Sequence, residues 1–101
     1  MKIVRVSYTT TPEYSEQNQM NIRAVMAAMQ EIDNPNVRYE CFLAPDGKSF
    51  THLAVFQTDE AEQVLLTLPQ FKAFQEQLKA SGPETPPKQD ILNIVGSSVR
   101  K

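Results

Sequence analysis

A chain of 101 residues with 41% apolar and 22% charged side chains has room for one domain around a single modest core, and that balance excludes a disordered or fibrous chain. Its formal charge of −2, with Lys and Arg scattered along the sequence, excludes the basic face that nucleic-acid binding requires. No apolar run approaches a membrane span, so neither nucleic acid nor membrane is an expected partner.

Lys2 to Tyr8 alternates as a first strand, with Val4, Val6 and Tyr8 on one face and Ile3, Arg5 and Ser7 on the other. An Arg and a Ser on the second face mark it as something other than simple core. The N-terminus lacks the long apolar core of a secretion signal. Thr11-Pro12-Glu13 reads as a helix start, with Thr as N-cap, Pro in the first turn and an acid following. Ile22, Val25, Met26, Met29 and Ile32 then recur at helical spacing as one apolar stripe. Asp33-Asn34-Pro35 ends that helix, because Pro35 cannot continue it and disfavours helix at Asn34.

Val37 to Ala44 is the second strand, with faces Val37/Tyr39/Cys41/Leu43 and Arg38/Glu40/Phe42/Ala44. Cys41 is the sole cysteine. It can form no intrachain disulfide and no CxxC metal site, and it fits a small buried hydrophobe in a reducing cytoplasm. Arg38 and Glu40 share a face and form a solvated pair on an edge strand or an orienting pair for a ligand.

The turn Pro45-Asp46-Gly47-Lys48 leads into the most regular stretch of all, Ser49 to Gln57. There Thr51/Leu53/Val55 oppose Phe50/His52/Ala54/Phe56. Thr58-Asp59-Glu60 caps a further helix, Pro69 interrupts it and restarts it, and Gly82-Pro83 stops it. Gly82 to Gln89 is expected to be an extended surface loop, and Asp90 to Val99 a fourth strand.

Strand, helix, strand, strand, helix, strand is the ferredoxin-like βαββαβ order, an α+β fold with a four-stranded antiparallel sheet and strands one and three at its centre. Both helices then cover one face. The other carries Ile3, Phe42, Phe50, Phe56 and either Leu92/Ile94 or Ile91/Val95, too apolar a set for water. A second sheet from an identical chain is the simplest cover, which predicts a homodimer. On this reading Thr51, Leu53 and Val55 hold the helices.

The strand Phe50-Thr-His-Leu-Ala-Val-Phe56, the acidic Thr58-Asp-Glu-Ala61 and the helix opening Leu68-Pro-Gln-Phe-Lys-Ala-Phe74 resemble the dimeric α+β barrel superfamily, in particular the antibiotic-biosynthesis-monooxygenase-like domains. The resemblance spans nearly the whole of residues 1–101 as a single domain. It implies a barrel of two paired sheets with a cavity in each subunit. Some relatives of this kind oxidise aromatic polyketides with dioxygen and neither metal nor flavin; others degrade haem or isomerise lactones. The haem degraders use an Asn, Trp and His set with its His on a helix. This chain has no Trp, and His52 lies on a strand, so that role does not carry over.

His52, the only histidine, is the candidate catalytic residue, since an imidazole titrates near neutrality and Phe50 and Phe56 beside it favour the neutral form. It would take a proton from a phenolic or enolisable substrate, giving a carbanion able to meet dioxygen. Arg5 would help hold an anion, with Ser7, Phe42, Phe50 and Phe56 as substrate-binding neighbours. The alternative is a hydrogen-bonded His packed at the barrel seam of a non-catalytic dimeric ligand-binding or interaction domain. No metal site and no cofactor is expected: one His, one Cys and scattered carboxylates make no ligand set, and no Gly-rich phosphate loop is present.

Overall fold

The computed structural model describes residues 1–99. In chain order it consists of β1 (Lys2–Thr9), α1 (Ser15–Ile32), β2 (Val37–Leu43), β3 (Ser49–Phe56), α2 (Asp59–Leu66), α3 (Pro69–Ser81) and β4 (Thr85–Leu92). The four strands form one antiparallel sheet in the order β2-β3-β1-β4, with β1 and β3 central as the ferredoxin-like order requires. The predicted interruption at Pro69 is where α2 and α3 divide.

Local chemistry explains most boundaries. Asp33 closes α1 in the left-handed region at φ 51°, its N–H donating to the Met29 carbonyl. Gly82 closes α3 at φ 69°, a conformation that glycine adopts without a Cβ clash. At the start of α2 the Thr58 hydroxyl accepts the Ala61 N–H at 3.1 Å. Thr58→Ala leaves that N–H without its side-chain acceptor and should cost about 1 kcal/mol. Urea unfolding should show this as a lower midpoint with an unchanged slope.

Two boundaries differ from the sequence expectation. Helix α1 begins at Ser15 rather than at the Thr11-Pro12 signal, because residues 12–14 form a turn in which the Tyr14 N–H reaches the Thr11 carbonyl at 3.2 Å. Ser15 instead ties the helix to the β2–β3 turn by donating to the Gly47 carbonyl. Strand β4 begins at Thr85 and ends at Leu92, so the expected loop is largely strand and the expected strand largely is not. Pro86 and Pro87 are tolerated because β4 is an edge strand with a register shift between Ser7 and Thr9 opposite them.

The register also corrects the assignment of faces. Val4 pairs with Ala54, Val6 with His52 and Tyr8 with Phe50, whereas Ile3 pairs with Val55, Arg5 with Leu53 and Ser7 with Thr51. Phe50 is 2% exposed, His52 4% and Phe56 4%. These side chains lie beneath the helices, packed with Ile22, Val25, Leu65, Phe71, Phe74 and Leu78. Thr51, Leu53 and Val55 are the row on the open face, the reverse of the expectation. The physical reason is area: the aromatic row buries the larger apolar surface, so the side with a helical layer above it takes that row.

The open face therefore carries Ile3, Arg5, Ser7, Leu53, Val55, Phe42 and Leu92, with Phe42 54% exposed. Arg5 meets Asp90 at 3.0 Å on that face, and Arg38 meets Glu40 at 3.1 Å along edge strand β2.

Candidate functional site

A cavity of about 770 Å³ lies between the helix-covered face of the sheet and helices α2 and α3. Strands β1 and β3 floor it with Val4, Val6, Ala54 and Phe56, and the helices roof it with Leu65, Phe71, Phe74 and Leu78. Exposed Gln75, Lys79, Pro86, Pro87 and Gln89 mark the mouth. Lys2 and Glu62 pair there at 2.8 Å. A concave, mainly apolar space of this size with a few convergent polar groups is the usual form of a small-molecule site.

Those polar groups are Tyr8, Tyr39 and His52. The alternation of β1, β2 and β3 aims all three under the helices, and the pairing of Val6 and Cys41 with His52 puts the two tyrosines on either side of it. The Tyr8 hydroxyl lies 2.7 Å from His52 Nε2, and the Tyr39 hydroxyl 2.6 Å from His52 Nδ1. Asn18, on the first turn of α1, donates from Nδ2 to the Tyr8 hydroxyl oxygen at 2.8 Å. The result is a continuous chain of polar contacts, Asn18–Tyr8–His52–Tyr39, set in an aromatic wall. Phe74 stacks obliquely on the imidazole with ring centroids 5.3 Å apart.

Burial dominates the electrostatics. It lowers the His52 pKa to about 4, since the imidazolium would lose its hydration among apolar rings. Burial raises both tyrosine hydroxyls far above the ordinary phenol range, so they are neutral donors and acceptors rather than phenolates. A neutral imidazole has one N–H and one lone pair, so one tyrosine must donate to it and the other accept from it. Such a chain can pass a proton from the cavity inward or return it. The Cys41 thiol, opposite His52 on β2, is pushed up to about 12 by burial, which leaves it an unreactive neutral group. Among the described residues no group of three or more His, Cys, Asp or Glu is placed to hold a metal ion.

Of the residues singled out from sequence, His52 and Phe56 line the cavity, and Phe50 lies on the same face, stacked on Tyr8 at 5.4 Å. Arg5, Ser7 and Phe42 point to the opposite face of the sheet, so the expected grouping of Arg5 and Ser7 with His52 is corrected by the register. Tyr8, Tyr39 and Asn18 are the contacts that sequence reasoning left out of the site. Their signals were available: Tyr8 shares the Val4/Val6 row, Tyr39 the Val37/Cys41 row, and Asn18 is a polar residue one turn before Ile22 on the apolar stripe of α1.

No protein-family model matches the sequence, and no curated protein does. Solved structures do match in fold. One is an antibiotic biosynthesis monooxygenase, 13% identical, with 95% of this chain and 100% of that one covered at a TM-score of 0.78. A protein from Mycobacterium tuberculosis is 12% identical over 97% of this chain and 98% of its own, also at 0.78. A variant of SnoaB, a cofactor-independent oxygenase from Streptomyces nogalater, is 17% identical over 98% of each chain at 0.64. The chain thus has the fold of antibiotic-biosynthesis-monooxygenase-like α+β domains.

Proposed function

We propose that the protein is a cofactor-independent monooxygenase of the cytoplasm that oxidises a small aromatic or enolisable compound in the cavity above His52. The observation that carries this reading is the buried Tyr39–His52–Tyr8 chain opening on an apolar space large enough for a fused-ring compound. With Nδ1 bare, His52 draws the Tyr39 proton inward as Tyr39 takes one from the substrate, leaving a carbanion. Dioxygen takes an electron from that carbanion and the two radicals join as a peroxide. The relay returns its proton to the distal oxygen. Loss of water then converts a CH₂ and O₂ into a C=O and H₂O, so atoms and electrons balance with dioxygen as the only oxidant. Burial makes the imidazole a weaker base than the near-neutral group expected from sequence, so it holds the relayed proton only transiently.

Two such chains form a homodimer on this reading, meeting through the open sheet face. Phe42, Leu53, Val55 and Leu92 there are half-buried or exposed in the single chain, an apolar set that a second copy would remove from water. Sedimentation should show a dimer at micromolar concentration; a stable monomer would remove this part of the proposal. No helix among the described residues is long and apolar enough to cross a membrane.

The test is oxygen uptake with a panel of naphthols and anthrones in metal-free buffer, comparing the wild type with Tyr39→Phe. Loss of the relaying hydroxyl should slow turnover by about 100-fold, with substrate affinity changed far less. An absence of uptake across the panel, together with tight binding of its members, would favour a ligand-binding domain over an oxygenase.

A further inference from the structure

Asn18 is not itself part of the cavity wall; it reaches the wall only through Tyr8, and it is 0% exposed. Its Oδ1 is buried with no hydrogen-bond partner, while its Nδ2 donates to Tyr8. A buried, unpaired amide oxygen costs free energy, so the gain from this orientation has to lie in the group that Nδ2 holds.

That group is the start of the proton chain. The Tyr8 oxygen already accepts from Asn18, and His52 Nε2, 2.7 Å away, is the partner within reach of the Tyr8 hydrogen. If Tyr8 spends its hydrogen on Nε2, that nitrogen is bare and Nδ1 carries the hydrogen, which it donates to the Tyr39 oxygen at 2.6 Å. Tyr39 is left with its O–H unspent, on a ring that lines the cavity. We propose that Asn18 is a positioning residue that sets the direction of the chain, holding resting His52 as its Nδ1–H tautomer so that Tyr39 presents a hydrogen-bond donor to a ligand carbonyl or enolate oxygen.

The consequence deepens the oxygenase reading, on which its catalytic meaning rests. A substrate is first engaged through an acceptor oxygen, in its keto form. Inward proton transfer needs the opposite direction, with Nδ1 bare. Half a turn of the Asn18 amide supplies it: Oδ1 then accepts from Tyr8, Tyr8 accepts from Nε2–H, and Tyr39 donates to Nδ1. Each orientation leaves one Asn18 group unpaired, so the resting direction set by Asn18 can be reversed during turnover.

Because His52 is the only histidine in the chain, nitrogen-15 NMR of protein labelled at histidine reports this tautomer without assignment ambiguity. The ligand-free wild type at pH 7.5 should show a bare Nε2 and a protonated Nδ1; a protonated Nε2 overturns the proposal. In Asn18→Asp the carboxylate, once ionised, only accepts from Tyr8, so Nε2 should acquire the hydrogen at the alkaline end of a pH series in which the carboxyl carbon-13 shift reports that ionisation. A bare Nε2 in the ionised variant overturns the proposal as well. Binding of 1-tetralone, a ketone with no O–H of its own, should weaken about tenfold in Asn18→Asp as the Tyr39 hydrogen turns inward; unchanged affinity counts against the ligand class. Should the variant not fold, the wild-type spectrum decides by itself. The spectrum is also read without turnover, so a protein that consumes no oxygen can still show or refute the tautomer.

Discussion

Exchanging His52 for glutamine should lower the rate of oxygen uptake about 100- to 10,000-fold while the fold is kept. A glutamine amide offers a donor and an acceptor to the two tyrosine hydroxyls at 2.7 and 2.6 Å, but it has no lone pair basic enough to hold a proton. The variant therefore separates the relay from its scaffolding. Steady-state kinetics alongside near-ultraviolet circular dichroism would show a loss in kcat with the aromatic signal retained. Equal rates in His52→Gln and the wild type would remove His52 from the mechanism and leave it a core residue satisfied by its neighbours.

The same side chain should make the protein sensitive to mild acid. Burial holds the His52 pKa at about 4 in the folded state, against 6.5 for an unperturbed imidazole. The unfolded chain thus binds a proton between those values and the folded chain does not, so stability rises with pH across the window. His52 costs nothing above about pH 6.5, and its penalty grows as pH falls through 6.5 towards 4, to about 3 kcal/mol when complete. Nothing near the ring offsets it, for its hydrogen-bond partners are neutral tyrosines and its other neighbours are apolar rings. Urea unfolding at a series of pH values should show this slope in the wild type and its loss in His52→Gln. Parallel slopes would mean that the imidazole finds solvent on protonation.

Much of the architecture was legible before any coordinates. Periodicity located the strands β1, β2 and β3, Pro69 split the second helix, and Gly82 ended it, because each of those signals is local. The side of the sheet that the helices cover is not local. Phe50/His52/Ala54/Phe56 and Thr51/Leu53/Val55 are both apolar enough to be buried, and only the pairing of Arg5 with Leu53 and of Val6 with His52 decides between them. The start of β4 was hidden for another reason: Pro86 and Pro87 argue against strand wherever donors are needed, and an edge needs fewer. The site was half visible. His52 stood out as a residue type, but Asn18, Tyr8 and Tyr39 lie on α1, β1 and β2 and meet His52 only through the tertiary fold.

The two prolines of β4 also bear on how the protein behaves when concentrated. An incoming strand at that margin would meet a stretch broken by two prolines, and at the other margin, along β2, it would meet the Arg38–Glu40 charges. Neither border of the sheet is a good template for cross-β growth. Strand-to-strand growth into fibrils is discouraged even though large apolar side chains remain exposed.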